Sequence, residues 1–320
     1  MGDAISLIIL AISALWIAAM HLVGRLQTPP TGLAPRDLIY PLFPVLIVLL
    51  CAGLPVNGRA GGFLALYLGF GAIILGMMAV VWLVSLAVRD ASIMDVAYAP
   101  TAAVPTLALL AVRGTWSAHE IVLAALPLLW AARLALHIGI RNIGHGEDKR
   151  YARWRQRHGA NWWWWSLFQV FLLQGVLIWM WSLPLAFALH AGSRPFGAPH
   201  ILALALFAIG FYFQAAADWQ LQQFRKTRTD PAQVLDTGVW ALSRHPNYFG
   251  EVMIWWSFGA LALVHPWGFV TLLAPVYVTW FMAQGSATPM QERYLAKTKP
   301  GYADYARRVP KFFPIIGSTR

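Results

Sequence analysis

Residues 243–251 read Ser-Arg-His-Pro-Asn-Tyr-Phe-Gly-Glu, polar and ring side chains set directly against the apolar run 252–264. A helix starting near Pro246, where proline is best tolerated, places Asn247 and Glu251 four apart on one face. An amide beside a carboxylate, with Gly250 leaving space at the backbone, suits a flat polar ligand. The same residues also make an ordinary helix start, with an acid near the positive end of the helix dipole.

Other polar residues recur at helical spacing. Asp95 opens an apolar stretch, Arg133, His137 and Arg141 repeat every four residues, and Gln214, Asp218 and Arg225 share one face. A charged group inside a bilayer costs about 2.5–3.5 kcal/mol, so a set of them at one depth points to a pocket, here one open to the cytosol. Taken singly each has a plainer account. Arg141 could anchor its helix at the interface, His137 could bond a neighbouring helix, and Asp218 with Arg225 could be a helix-end ion pair. The segment 144–151, Gly-His-Gly-Glu-Asp-Lys-Arg-Tyr, could wrap phosphates. No Walker or Rossmann glycine pattern and no paired-histidine metal motif occurs, so a nucleotide would rest on helix ends and Arg150 or its like, and no metal is expected.

The elements that must position these residues are helices in a membrane. Of 320 residues, 59% are hydrophobic and 12% charged, too little polar surface for a soluble domain. Apolar runs predict an all-α polytopic bundle of about nine spans, near 4–24, 38–55, 62–88, 96–112, 118–140, 165–190, 198–222, 249–264 and 267–284. The span 96–112 is interrupted by Pro100 and Pro105, and the last two are short and hinged at His265 and Pro266. Twenty Lys and Arg fall on one side of this topology and three on the other, which puts the amino terminus outside and the carboxy terminus in the cytosol. The net charge of +11 then reflects cytosolic anchoring and attraction to anionic lipid or an anionic cofactor, with no call on nucleic acid. The Trp162 to Trp165 run fits an interfacial aromatic belt. Cys51 is the single cysteine, which excludes a disulfide framework.

The stretch His245-Pro246-Asn247-Tyr248-Phe249-Gly250-Glu251 resembles the signature of membrane-embedded NADPH-dependent reductases of the steroid 5-alpha-reductase type and their bacterial relatives, with sterol ring reductases as more distant kin. The spacing of Asp218 and Arg225 is similar to a dinucleotide-binding pair of that family. The similarity runs roughly from 88 to 314. It implies a seven-helix core over 62–320, two additional helices within 1–61, and a bacterial inner-membrane location. By the same resemblance Arg141, Arg150, Gln214, Asp218, Arg225, His245, Asn247, Tyr248 and Glu251 would hold NADPH, with Tyr294 closing over it, while a hydrophobic substrate enters from the bilayer. Isoprenylcysteine carboxyl methyltransferases share the His-Pro-x-Tyr-x-Gly core and the closing Arg308-Val309-Pro310, but lack the Asn and the final carboxylate.

The implied reaction is hydride addition to a conjugated carbon–carbon double bond. Asp95 resembles the family's catalytic carboxyl, and burial would favour its protonated form. The family's tyrosine position holds Ile138, so Tyr98 or His137 would supply the partner donor. Two rivals share the scaffold: an S-adenosylmethionine-dependent methyltransferase, and a non-catalytic lipid-binding or transport protein.

Overall fold

A computed structural model describes residues 62–142, 144–285 and 287–315. The two helices expected within 1–61 lie outside the described residues. All regular structure among the described residues is helical. Among the described residues, six helical stretches are long and apolar enough to cross a membrane. Pro246–Ala262, expected as a span near 249–264, is a helix of 17 residues.

The described chain divides into two compact units. The first holds α1 (Gly62–Val88), α2 (Ile93–Arg113), α3 (Ala118–Asn142), α4 (Lys149–His158) and a composite span made of α5 (Trp162–Ser166), a π-helical turn (Leu167–Leu172), α6 (Leu173–Trp181) and α7 (Leu183–His190). Helix α2 runs unbroken through Pro100 and Pro105. Neighbouring helices and hydroxyl side chains can compensate the bonds that proline removes; here Thr101 donates to the Ala97 carbonyl (2.8 Å), and buried Ala99, Ala102 and Ala103 let α3 approach. It ends at Gly114, whose left-handed backbone (φ 68°) returns its N–H to Leu110.

Helices α1 and α6 meet through a reciprocal pair. The Tyr67 hydroxyl donates to the Trp179 carbonyl (3.1 Å) and the Trp179 indole donates to the Tyr67 carbonyl (2.8 Å). Gly71 sits under that indole, and any side chain there would collide with it. The composite span divides at Ser182, whose hydroxyl donates back to Ile178 (2.8 Å). Only part of the tryptophan run faces outward: Trp163 and Trp164 are exposed, whereas Trp162 is buried beneath the Arg155 guanidinium at 5.1 Å.

The second unit holds α8 (Ala198–Thr227), α9 (Pro246–Ala262), α10 (Leu273–Trp280) with its π-helical end (Phe281–Gly285), α11 (Ala287–Thr298) and α12 (Tyr302–Arg308). Helix α9 starts at Pro246, as proline at the first turn predicts. The expected hinge at His265 and Pro266 is a turn followed by a 3-10 stretch, Pro266–Leu272, grouped with the first unit as far as Thr271. Gly268 there donates to His265 (2.8 Å) and lies too close to the Ala262 carbonyl for any Cβ.

Candidate functional site

Helices α8 and α9 bring together Gln214 and Glu251, two residues for which the family resemblance implies one role. The Gln214 amide donates to Glu251 Oε2 (2.5 Å), and the Trp255 indole donates to Glu251 Oε1 (3.0 Å). Both residues are buried, at 4% and 5% exposure. A carboxylate withdrawn this far from water must be met by donors, and Trp255, one turn along α9, was not foreseen. Asn247 lies one turn before Glu251 on the same face and is half-buried.

Gly250 makes this contact possible, by a route other than the one its position suggested. A Cβ at 250 would stand 2.6 Å from both the Gln214 backbone nitrogen and the Gly210 carbonyl oxygen, and one at 210 would stand 2.6 Å from the Gly250 carbonyl oxygen. The two glycines therefore serve the close crossing of α8 and α9. The space at Gly250 is filled by helix, not left for a ligand.

Along α8 the expected face emerges gradually into solvent. Gln214 is buried, Asp218 half-buried and Arg225 exposed near the helix end, where Lys226 and Arg228 add charge. Seven residues of helix put Asp218 and Arg225 about 10 Å apart along the axis on nearly the same side, room for a ligand that touches both.

His245 is 2% exposed and committed inward. Its Nε2–H donates to Glu292 Oε1 (2.8 Å), and its ring stacks on Tyr248 at 5.5 Å and 7°. Burial is the main reason that its pKa falls below the ordinary histidine value; the hydrogen bond and charge of Glu292 oppose this, and Arg244 and Lys311 add to it. A neutral ring holding Tyr248 in place makes His245 a positioning residue for its neighbour.

Glu292, on α11, gathers a cluster that the sequence reading passed over. Besides His245 it accepts the Tyr302 hydroxyl (2.6 Å) and pairs with Arg244 (3.1 Å), whose side chain is 11% exposed. Burial, then the hydrogen bond and charge of Glu292, push the Tyr302 hydroxyl well above its usual pKa, so it stays a donor. The Arg244 Nε is buried and has no hydrogen-bond partner among the described residues. Tyr294, two positions from Glu292 and so about 200° round the helix, is 59% exposed. It is not gathered with His245.

The segment after α12 clamps the signature loop. Pro310 accepts the Arg244 amide (3.0 Å), the Phe312 carbonyl accepts the Ser243 hydroxyl (2.7 Å), the Tyr305 hydroxyl donates to Trp240 (2.7 Å), and Arg308 pairs with Asp236 (3.0 Å). Val309 packs with Tyr302 and Tyr305. The closing Arg308-Val309-Pro310 thus has a structural task.

In the first unit, Asp95 on α2 meets α4. Its Oδ2 accepts Arg150 (2.6 Å) and its Oδ1 accepts the Tyr151 hydroxyl (2.7 Å). Both oxygens act as acceptors, where burial had suggested an O–H donor. Tyr151, 3% exposed, was not anticipated as its partner. Asp148 caps α4 through the Arg150 N–H (2.8 Å) and also accepts its side chain (2.9 Å). Partial burial works to raise the Asp148 pKa, but the hydrogen bonds from Arg150 and the charges of Arg150 and Arg141 hold it below the ordinary value. Arg150 is therefore tied into a local network, while Arg141 is exposed beside Asn142. Tyr98 lies edge-on to Trp130 (5.8 Å) and Trp181 (6.5 Å), and His137 is half-buried on α3 with Ile138 beside it. Among the described residues no three His, Cys, Asp or Glu side chains gather as a metal site.

Apolar spans long enough to cross a bilayer, with polar groups such as Gln214 and Glu251 bonded to each other in the interior, define a polytopic integral membrane protein. The chain belongs to the family described as protein of unknown function (DUF1295), whose model matches residues 81–309. It is 31% identical over 232 residues to the uncharacterized protein C594.04c of Schizosaccharomyces pombe, covering 62% of this chain and 64% of the relative. It is 32% identical over 169 residues to the Delta(14)-sterol reductase TM7SF2 of Mus musculus, covering 47% and 39%, and 30% identical over 164 residues to the Delta(14)-sterol reductase LBR of Gallus gallus, covering 45% and 24%. The chain thus spans less than two thirds of each of these relatives. No solved structure matches it. This places it in a membrane family akin to sterol reductases.

Proposed function

We propose that this protein is a membrane oxidoreductase that uses NADPH to reduce a conjugated carbon–carbon double bond in a steroid- or sterol-like molecule drawn from the bilayer. The observation carrying the reading is the buried Gln214–Glu251 pair, one helical turn beyond Asn247 in the signature 245–251. Kinship with proteins named Delta(14)-sterol reductase supports the reaction class. The 5-alpha-reductase type is the finer form of the same proposal, as are a cytosolic carboxy terminus and a bacterial inner membrane.

The second unit has the donor set a phosphorylated dinucleotide needs. Arg244, paired with Glu292 through one terminal nitrogen, keeps a buried Nε with no hydrogen-bond partner among the described residues, and Arg225, Lys226 and Arg228 bring positive charge to the end of α8, which supports phosphate binding there. When bound, NADPH supplies the hydride. Arg225 and Arg244 would hold phosphate oxygens, Asp218 would accept from ribose hydroxyls, and Asn247, oriented by the α8–α9 contact, would pair with an amide. Tyr248 would present a ring face fixed by His245. The proton would come from Tyr98 or His137, because both oxygens of Asp95 are already acceptors; Asp95 then orients Tyr151 and Arg150.

Purified protein titrated with NADPH and, separately, with S-adenosylmethionine tests the cofactor. Thermal stabilisation by NADPH alone is expected, and loss of that stabilisation in Asn247→Ala. Stabilisation by the methyl donor alone would replace the reading with methyl transfer; stabilisation by neither, with retained lipid, would make this a lipid-binding protein.

A further inference from the structure

Helix α4 carries charge that the proposed chemistry leaves unused. Of its five Lys and Arg residues, Arg150 is paired with Asp95 and Asp148, and Arg155 donates two bonds to Glu147 (2.7 and 2.9 Å). Lys149, Arg153 and Arg157 are different. They recur every four residues, so they form one stripe; all three are exposed, and none has an ion-pair partner among the described residues. The two acids that precede it, Asp148 and Glu147, are engaged by Arg150 and Arg155, and no acid follows in the sequence until Asp218.

The stripe is also held at a fixed place beside an apolar span. His158 stacks on Trp165 at 3.7 Å and 20°, Trp154 meets the same ring edge-on at 6.0 Å, and Arg155 covers Trp162. These contacts fasten α4 to the first turn of the span that begins at Trp162. Trp163 and Trp164 are 57% and 41% exposed at that same point. Cations without ion-pair partners on a helix fastened to a turn that carries exposed tryptophans match the boundary of a bilayer, where indole sits among headgroups and cations meet phosphate.

We propose that α4 is a binding element for anionic phospholipid, with phosphodiester headgroups on Lys149, Arg153 and Arg157 and the Trp163 and Trp164 rings at the adjoining acyl boundary. The partner is a lipid surface, chosen over free phosphate because the exposed indoles add nothing to the capture of a small soluble anion. The assignment holds whichever reaction the protein performs.

Native mass spectrometry of the full chain in mild detergent, offered equal phosphatidylglycerol and phosphatidylcholine, tests it. Wild-type protein is expected to retain the anionic lipid preferentially, and rising salt should erode that preference. The variant K149Q/R153Q/R157Q should lose it by about fivefold per cation removed. A control, K297Q/R307Q, removes two exposed cations of the carboxy-terminal region and should leave the ratio unchanged. The single variant Arg153→Gln, with an expected loss of about fivefold, keeps the test valid if the triple variant misfolds. Equal retention of both lipids by wild type overturns the proposal, as does an unchanged ratio in the α4 variants or an equal loss in the control.

Discussion

Glu292 offers the sharpest perturbation, since one side chain serves three partners in the second unit. Its carboxylate accepts His245 and Tyr302 and faces Arg244, and only 20% of it is exposed. In Glu292→Ala the Arg244 guanidinium, 11% exposed, loses its ion-pair partner while still buried. Leaving a buried charge uncompensated costs about 3–5 kcal/mol. The two lost hydrogen bonds would add to this if independent, but groups sharing one network are not additive, so about 4 kcal/mol is expected. Glu292→Gln keeps an acceptor of the same shape without the charge and should cost about 1–2 kcal/mol. For a chain of this size each kcal/mol corresponds to about 2–4 °C in Tm. Thermal unfolding in detergent should therefore show a drop of roughly 10 °C for Ala and a few degrees for Gln. A cycle with Tyr302→Phe should return a coupling of at least about 0.5 kcal/mol. If Glu292→Ala unfolds within about 2 °C of wild type, a shift too small for a lost buried ion pair, the carboxylate does not hold this cluster together and the reasoning fails.

Gly250→Ala should cost upwards of about 2 kcal/mol, because the intruding methyl meets backbone atoms of α8 that cannot yield; NADPH stabilisation should vanish with it, and a variant of normal Tm and binding would refute the close-crossing account. Asp95→Asn gives up the pairing with half-exposed Arg150 but keeps an acceptor for Tyr151, so about 1 kcal/mol is expected by thermal melt; a hundredfold loss of turnover on a sterol-type substrate would instead return the proton-donor role to Asp95. His245 has a folded pKa below its unfolded value of about 6.5, so the unfolded chain binds the proton more readily; stability from this group is full above that value and falls as pH drops below it. Tm followed across the acid range should decline from there less steeply in His245→Gln, and identical profiles would count against the assignment. Asp218→Ala should weaken NADPH binding with little change in Tm, and fluorescence of bound NADPH at wild-type affinity would remove Asp218 from the site.

What the chain discloses by spacing and what it conceals divide along physical lines. Helical runs and their amphipathic faces are local, so the six membrane-length helices among the described residues and the start of α9 at Pro246 could be read from periodicity. Partners fixed by the crossing of distant elements could not. Nothing local joins Asp95 to Tyr151, 56 residues apart, or His245 to Glu292, 47 apart. One clue was available: a chain with 13 acids, 59% hydrophobic, has few reasons to place Glu292 just after a span unless cations or hydroxyls await it. Gly250 carries the same lesson in reverse. A glycine signals that something approaches the backbone closely, and sequence alone does not say whether that is a ligand or another helix. Here it is Gly210 and Gln214, so the signature 245–251 does two things at once: its glycine welds α9 to α8, and its Asn247 and Glu251 inherit a rigid position from that weld. If the proposed cofactor binds there, polar groups set by helix contact, and not by a pliable loop, would meet it preorganised, at small entropic cost.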